Sequence, residues 1–392
     1  MVKMSDHGKN NDSIGSGIGV ALNWDKGIEF LNSIAGKEFR FILITSYTET
    51  AEIDGITVAG ANKDLVRFTP PADAEFLYLG RCKCIDSVPA TPDGKPTPAV
   101  ITRAMLKLAG IPLSIVDSGS IVKPMVPHYT MAATHGRNII HGHAMSREEV
   151  EYIYRHSLEL GRILARSADC LVIGESIPAG TTTALAVMLA MGIDARFRVS
   201  SSMPSNPHAL KMRVVEEGMR NGGVKFGSLK DKPLDAIAML GDPMMPCTAG
   251  LAIGAMDHAH VILAGGTQMA AVLAVVSALS SRRMDKIAVA TTSYVVNDAS
   301  ADIRYLVNSV TANCYGCVPL IYADPMLALS SKNGLRAYTE GFVKEGVGAG
   351  GACVAALARS RFRLDARDVL KAIEVEYEHA IELPMKTRLC YE

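Results

Sequence analysis

The chain carries a series of short apolar runs, several of them unbroken, and this limits its fold more than any other feature. Phe41–Ile44, Phe76–Leu79, Leu113–Val116, Leu171–Ile173, Ile237–Met239, Val261–Leu263, Ile287–Ala290 and Leu320–Tyr322 each read as a strand. A strand with one wet face alternates apolar and polar residues. An unbroken run suits a strand covered on both faces. The stretches between the runs are long enough for crossover helices. This alternation predicts an α/β fold: a Rossmann-like, mostly parallel sheet flanked by helices.

Two helices are marked by their starts. Ser146-Arg147-Glu148-Glu149 has the S-x-x-E form of a capping box, and Val150, Ile153, Leu160 and Leu164 follow on one face. Asp365 can cap a last helix whose inner stripe is Leu370, Ile373, Tyr377 and Ile381. A Gly/Ala-rich helix around residues 348–359 precedes it. Neither is followed by a strand, so both are expected to leave the sheet for a smaller helical layer. The expected division is a loose tail over 1–16, an α/β domain over 17–345, and C-terminal helices over 346–392 that join part of the N-terminal region. Pro89–Pro98 reads as a loop.

Composition narrows the function. Of 392 residues, 48% are hydrophobic and 20% charged, which excludes disorder for most of the chain. Lys plus Arg and Asp plus Glu are 40 each, so the net charge is zero and the basic excess of a nucleic-acid binder is absent. Met269–Leu279, among the longest apolar runs, has about 11 residues against the roughly 20 that span a bilayer, so no membrane partner is expected. The polar start lacks an apolar signal core, and eight scattered cysteines form no disulfide framework. A reduced, cytoplasmic setting is expected.

Three glycine-rich segments could carry chemistry. Leu171-Val172-Ile173-Gly174-Glu175-Ser176-Ile177-Pro178-Ala179-Gly180-Thr181-Thr182-Thr183 reads as strand, loop and helix start. Gly180 lets a ligand approach the backbone, and Thr181 and Thr182 set hydroxyls beside the unpaired amides of a helix end. That combination suits an anion such as phosphate. The segment is neither a Walker loop nor G-x-G-x-x-G. Gly265-Gly266-Thr267 repeats the strand-to-helix turn after Val261–Leu263 and is expected to face the same crevice. Glu345-Gly346-Val347-Gly348 sets one carboxylate beside much exposed backbone. Such glycine density serves either a ligand or close packing against another helix. Lys211 reads as a solvated helix charge unless it points into the crevice. His141/His143 and His258/His260 lack the spacing of a zinc enzyme, and Cys314-Tyr315-Gly316-Cys317 has no partner pair, so no metal is expected.

These segments together resemble the nicotinate-nucleotide–dimethylbenzimidazole phosphoribosyltransferase family, in its archaeal branch. The match is close over 144–192, from Ser146-Arg147-Glu148 to Gly174-Glu175 and Thr181-Thr182-Thr183. It is loose over 100–360, where Lys211-Met212-Arg213-Val214-Val215-Glu216 and Glu345-Gly346-Val347-Gly348-Ala349 follow family motifs. Residues 1–100 match only in a general way. The resemblance implies a Rossmann-like sheet with a small helical domain, a homodimer, and transfer of the 5-phosphoribosyl group of nicotinate mononucleotide to a benzimidazole-type base. The products would be an α-ribotide and nicotinate, for the lower ligand of a cobamide.

By the same resemblance, Glu345 accepts the proton of the attacking base and Glu175 is the second carboxylate near the reacting carbon. Gly180, Thr181 and Thr182 receive the phosphate, with Lys211 as its countercharge. Gly265, Gly266 and Thr267, read from their own strand-to-helix turn, and Gly346 and Gly348 are expected to complete the substrate contacts. The leaving group departs from a cationic pyridinium, so neither a general acid nor a metal or other cofactor is needed. The chain departs from the bacterial pattern at 241–246, 265–267 and 292–297. These segments are expected to line the crevice and to bear on the acceptor base more than on the phosphoribosyl chemistry. One rival is a non-catalytic nucleotide- or phosphate-binding sensor. A nicotinamide-dependent dehydrogenase is the other, and it lacks its glycine fingerprint here.

Overall fold

The computed structural model describes residues 17–131, 133–280, 282–311 and 318–384. In chain order its elements are β1 (Ile18–Leu22), α1 (Trp24–Ile34), β2 (Phe39–Ser46), α2 (Thr69–Leu79), α3 (Ala99–Ala109), β3 (Leu113–Gly119), β4 (Tyr129–Thr130), α4 (Arg147–Leu164) and β5 (Cys170–Ser176). Then follow α5 (Gly180–Ala190), α6 (His208–Asn221), α7 (Pro233–Leu240), α8 (Met244–Met256), β6 (His260–Ala264), α9 (Gln268–Leu279), β7 (Ile287–Thr292), α10 (Ser293–Val296) and α11 (Ile303–Thr311). The last are β8 (Leu320–Ala323), α12 (Asn333–Arg336), α13 (Ala349–Arg359) and α14 (Ala366–Tyr377).

The strands form one sheet in the order β1-β8-β7-β6-β5-β2-β3-β4. Every pair is parallel except β1 with β8 at the edge. From β2 the chain moves outward to β3 and β4, then returns to the other side of β2 with β5 and continues to β8. The order therefore reverses between β2 and β5. In open α/β sheets, ligands bind outside the carboxyl ends of the strands at such a reversal.

Both faces of the sheet are covered, which is why its strands read as unbroken apolar runs. Ile42, Ile44, Leu171, Ile173, Val261, Leu263 and Val289 face a layer built from α4, α5, α8 and α9. Their neighbours Phe41, Leu43, Cys170, Val172, Ile262, Ala288 and Ala290 face a layer built from α1, α3 and α13. The capping box at Ser146 is present: its hydroxyl accepts from Glu149 N at 3.1 Å, and the Glu149 carboxylate accepts from Ser146 N at 3.2 Å. Asp365 caps α14, accepting from Arg367 N and Asp368 N. Among the described residues no helix is long and apolar enough to cross a membrane.

Two expected strands are helical. Phe76–Leu79 is the last turn of α2, and Ile237–Met239 lies within α7. Both helices are buried around most of their circumference, so their apolar residues lose the 3.6-residue spacing and mimic a central strand. The local clue is proline in the first turn of each. The expectation that both chain-end helices leave the sheet holds for α14, which packs on α3. It fails for α13, which lies against β5 to β8. Glycine density in α13 serves that approach. A Cβ on Gly350 would come within 2.0 Å of Thr291 C, and one on Gly351 within 2.3 Å of Ala264 Cβ.

The helices α4 and α8 meet through glycines in the same way. A Cβ on Gly161 would stand 2.3 Å from Leu251 O, one on Gly250 2.4 Å from Tyr154 O, and one on Gly254 2.0 Å from Leu158 O. Backbone cannot move aside as a flexible side-chain tip can. Gly254→Ala is therefore expected to destabilise the protein by about 1–3 kcal/mol or more, the range of overpacked cores, despite the better helix propensity of alanine. Urea unfolding of the two proteins checks this.

Candidate active site

A pocket opens at the carboxyl ends of β2 and β5, where the strand order reverses. Its floor is Glu175 and Ser176 with the turn Ile177–Thr181. Its walls are Ser200–Ser202, Gly266 and Gln268, the segment Val343–Val347, and, from the N-terminal third, residues 56–60, Asp73 and parts of the Pro89–Pro98 loop.

One end is built for an anion. Ala179 stands at φ +64° and turns the chain sharply from β5 into α5, whose first residues, Gly180 and Thr181, line the pocket. Lys211 comes from the first turn of α6, which packs beside α5. It is fully buried and donates to Thr181 Oγ1 and Ser200 O, both at 2.7 Å. Burial, reinforced by the Lys344 charge, lowers its ammonium to about 7. Lys344 is itself held by Asp298 at 2.7 Å and by Met203 O at 3.0 Å. Lys211 thus lacks the full countercharge that Lys344 has. An anion near Thr181 would supply it.

The same pocket gathers carboxyl groups. Glu175 is buried; it accepts from Ile177 N at 3.0 Å and from the Gln268 side-chain amide. Burial first, then the nearby Asp242, Glu345 and Asp73 charges, raise it to about 8. Glu345 keeps part of its surface open. Its oxygens accept from Thr292 N at 2.8 Å, Gly346 N at 3.2 Å and Gly350 N at 3.2 Å, the last at the start of α13. Burial raises its carboxyl to about 7 against these donors. The hydrogen bond from Val347 N to Glu175 O, 3.0 Å, ties the two segments together. Asp73, from α2, accepts from Ser176 Oγ and Thr97 Oγ1, both at 2.7 Å, and burial raises it to about 6.

Of the residues singled out in the sequence, Glu175, Gly180, Thr181, Gly266, Glu345 and Gly346 line this one pocket, and Lys211 stands directly behind Thr181. The others lie outside its lining. Thr182 is fully buried in α5. The Thr267 hydroxyl accepts from Ser200 N at 3.0 Å, supporting the serine segment. A Cβ on Gly265 would point at Met269, and Gly348, at φ +67°, packs against Gly174 and Phe41. The segments 241–246 and 292–297, expected to line the crevice, do not. They brace it instead. Asp242 holds Thr183 Oγ1 at 2.5 Å and caps α8 through Met244 N, while Thr292 N holds Glu345.

Sequence reasoning missed Asp73, Gln268, Ser200–Ser202 and the wall over 56–60. Gln268 opens the helix after Gly265-Gly266-Thr267, a signal that was present. Asp73 had none, because its helix was masked by the strand-like run beside it. Among the described residues no three His, Cys, Asp or Glu side chains come together as a metal site requires. Cys314 and Cys317 lie outside the described residues.

Residues 99–295 match the family model DBI_PRT, described as phosphoribosyltransferase; Glu175, Thr181 and Lys211 fall inside the match and Glu345 outside it. The UPF0284 protein of Archaeoglobus fulgidus is 45% identical, covering 92% of this chain and all of its own. That of Sulfolobus acidocaldarius is 42% identical over 90% of this chain and all of its own. A solved nicotinate-nucleotide–dimethylbenzimidazole phosphoribosyltransferase from Thermus thermophilus shares the fold, with TM-score 0.57 and 15% identity, over 88% of this chain and 91% of that one. With half its length matched by the model and relatives of this identity matched end to end, the chain belongs to the phosphoribosyltransferase family of the nicotinate-nucleotide–dimethylbenzimidazole type, together with the UPF0284 proteins.

Proposed function

We propose that the pocket transfers the 5-phosphoribosyl group of nicotinate mononucleotide to a benzimidazole-type base. The observation that carries this reading is one pocket that brings together an anion-ready helix start backed by Lys211 and two carboxyl groups held near neutral values. The phosphate sits against Thr181 and the start of α5, where it restores the charge of Lys211. The pyridinium charge of the donor, placed beside Glu175, favours the ionised form of that carboxyl. The bond from C1′ to the pyridinium nitrogen breaks, and its electron pair stays with nicotinate. The base nitrogen forms the new bond to C1′ on the opposite face. The N–H proton of the other imidazole nitrogen passes to Glu345, whose value near 7 suits a general base at neutral pH. Ionised Glu175 stabilises the positive charge that develops on the ribose.

The test is release of nicotinate when a panel of bases (dimethylbenzimidazole, hydroxybenzimidazole, adenine and a phenol) is added to protein holding nicotinate mononucleotide. Release with at least one base is expected. A second reading has one observation in its favour: both oxygens of Glu345 already accept from backbone amides, as those of a helix cap do. A binding-only sensor would hold the donor and release nothing with any base.

The pH dependence follows from the same groups. Glu345 and Glu175 must lose protons, so kcat/KM rises with pH through about 7 to 8. Lys211 must keep its proton, so kcat/KM falls above about 7. The limbs overlap, and a narrow bell with its maximum between these values is expected. A flat profile from about pH 6 to 9 would contradict these assignments.

A further inference from the structure

Asp73 has no part in the transfer just described, yet it lines the same pocket. Its carboxyl is buried, and among the described residues no Lys, Arg or His pairs with it. Two hydroxyls hold it, Ser176 Oγ on one oxygen and Thr97 Oγ1 on the other. Each hydroxyl has a single proton and gives it to Asp73. Both of these donors are therefore spent, and the carboxylate offers only its remaining lone pairs. The pocket lining that it shares is mixed, with Ile56, Val58 and Pro98 beside Thr57, Thr69 and Lys95. A flat heteroaromatic ring fits such a lining, and the phosphate site lies toward Thr181 and Lys211. A buried carboxylate, which can only accept, is costly to leave with part of its hydrogen-bonding capacity unanswered.

We propose that Asp73 selects acceptor bases that carry an N–H or O–H donor on the ring edge away from the reacting imidazole, an inference that rests on the proposed phosphoribosyl transfer. The donor hydrogen completes the hydrogen bonding of the carboxylate, while the apolar residues of the lining hold the ring. The same charge repels the carboxylate of nicotinate, so the leaving group is discouraged from settling where the acceptor binds. At neutral pH Asp73 is ionised, since burial lifts it only to about 6.

The experiment compares two bases of nearly equal size, 5-hydroxybenzimidazole and 5-methoxybenzimidazole. Each is titrated calorimetrically into the full chain and into the Asp73→Asn variant, and nicotinate release is followed on the same preparations. The wild-type protein should bind the hydroxy base about tenfold or more tightly, the usual worth of a hydrogen bond to a charged group. In Asp73→Asn the preference should shrink to about threefold or less, since a neutral amide is the weaker acceptor. The wild-type comparison needs no variant and stands if Asp73→Asn fails to fold. Equal binding of the two bases by wild type, no binding of either, or an undiminished preference in Asp73→Asn overturns the proposal. So does a loss in Asp73→Asn confined to nicotinate mononucleotide affinity, which would place the carboxylate on the ribose. Preferential binding of the hydroxy base without nicotinate release sinks the transferase reading alone and leaves the Asp73 inference standing.

Discussion

Glu345→Gln is expected to lower turnover by about 10²–10⁴-fold, the usual contribution of a positioned general base, while affinity for nicotinate mononucleotide changes little. The amide has the same shape but cannot take the proton that the attacking base sheds. Donor affinity is spared because the phosphate is assigned to Thr181 and Lys211, not to Glu345. The substitution also carries a structural cost. Glu345 accepts backbone amides on both oxygens, from Thr292 N and Gly346 N, with Gly350 N shared between them. The glutamine nitrogen cannot accept, so one buried amide faces another N–H, at a cost of about 1–3 kcal/mol. A general base loses turnover and some stability together. A mere cap for α13 loses stability and keeps its rate. Melting temperature, donor affinity and nicotinate release on one preparation separate the two. Full activity with a lowered melting temperature would move the catalytic weight to Glu175.

Lys211→Met is expected to weaken binding of nicotinate mononucleotide by about 10-fold to more than 100-fold, the worth of a charge-assisted hydrogen bond to phosphate. Methionine matches the length of the stem without the charge. In the empty protein the change should cost less than removal of an ordinary ion-paired lysine, because burial already destabilises the ammonium. What is lost is the pair of bonds to Thr181 Oγ1 and Ser200 O. The variant should also lose the alkaline limb of the kcat/KM profile, since the group that titrates there is gone. Equilibrium binding below neutrality, at about pH 6.5, and a pH profile above about 7 check both expectations. An unchanged donor affinity would remove Lys211 from the phosphate site.

The parts of the fold that sequence makes legible are those where burial and local pattern agree. Leu171–Ile173 and Val261–Leu263 are strands covered on both faces, and each ends in a glycine turn that names the carboxyl end of the sheet. Phe76–Leu79 and Ile237–Met239 misled because a helix buried all round shows the same unbroken run. Ile18–Leu22 was missed as the antiparallel edge strand β1, whose pairing with β8 spans nearly the whole chain and leaves no local mark. At the site, Glu175 and Thr181 were legible because chemistry and turn share one segment. Lys211 read from its own helix as a surface charge, and only the resemblance named it as the countercharge of the phosphate; the packing of α6 beside α5 turns it inward. Asp73 was invisible, since an aspartate owes its place in the pocket to Ser176 and Thr97, residues 103 and 24 positions away.

The claim that the pocket carries out base-dependent phosphoribosyl transfer is tested most directly in a single turnover. Protein in excess over nicotinate mononucleotide is mixed with each base in turn, and nicotinate and ribotide are quantified by chromatography with mass detection. The expected result is nicotinate and α-ribotide in equal amounts with at least one base, and no nicotinate without a base. Nicotinate released at the same rate with no base present would mark a hydrolase, and donor bound with nothing released under any condition would mark a sensor; either result contradicts the transfer.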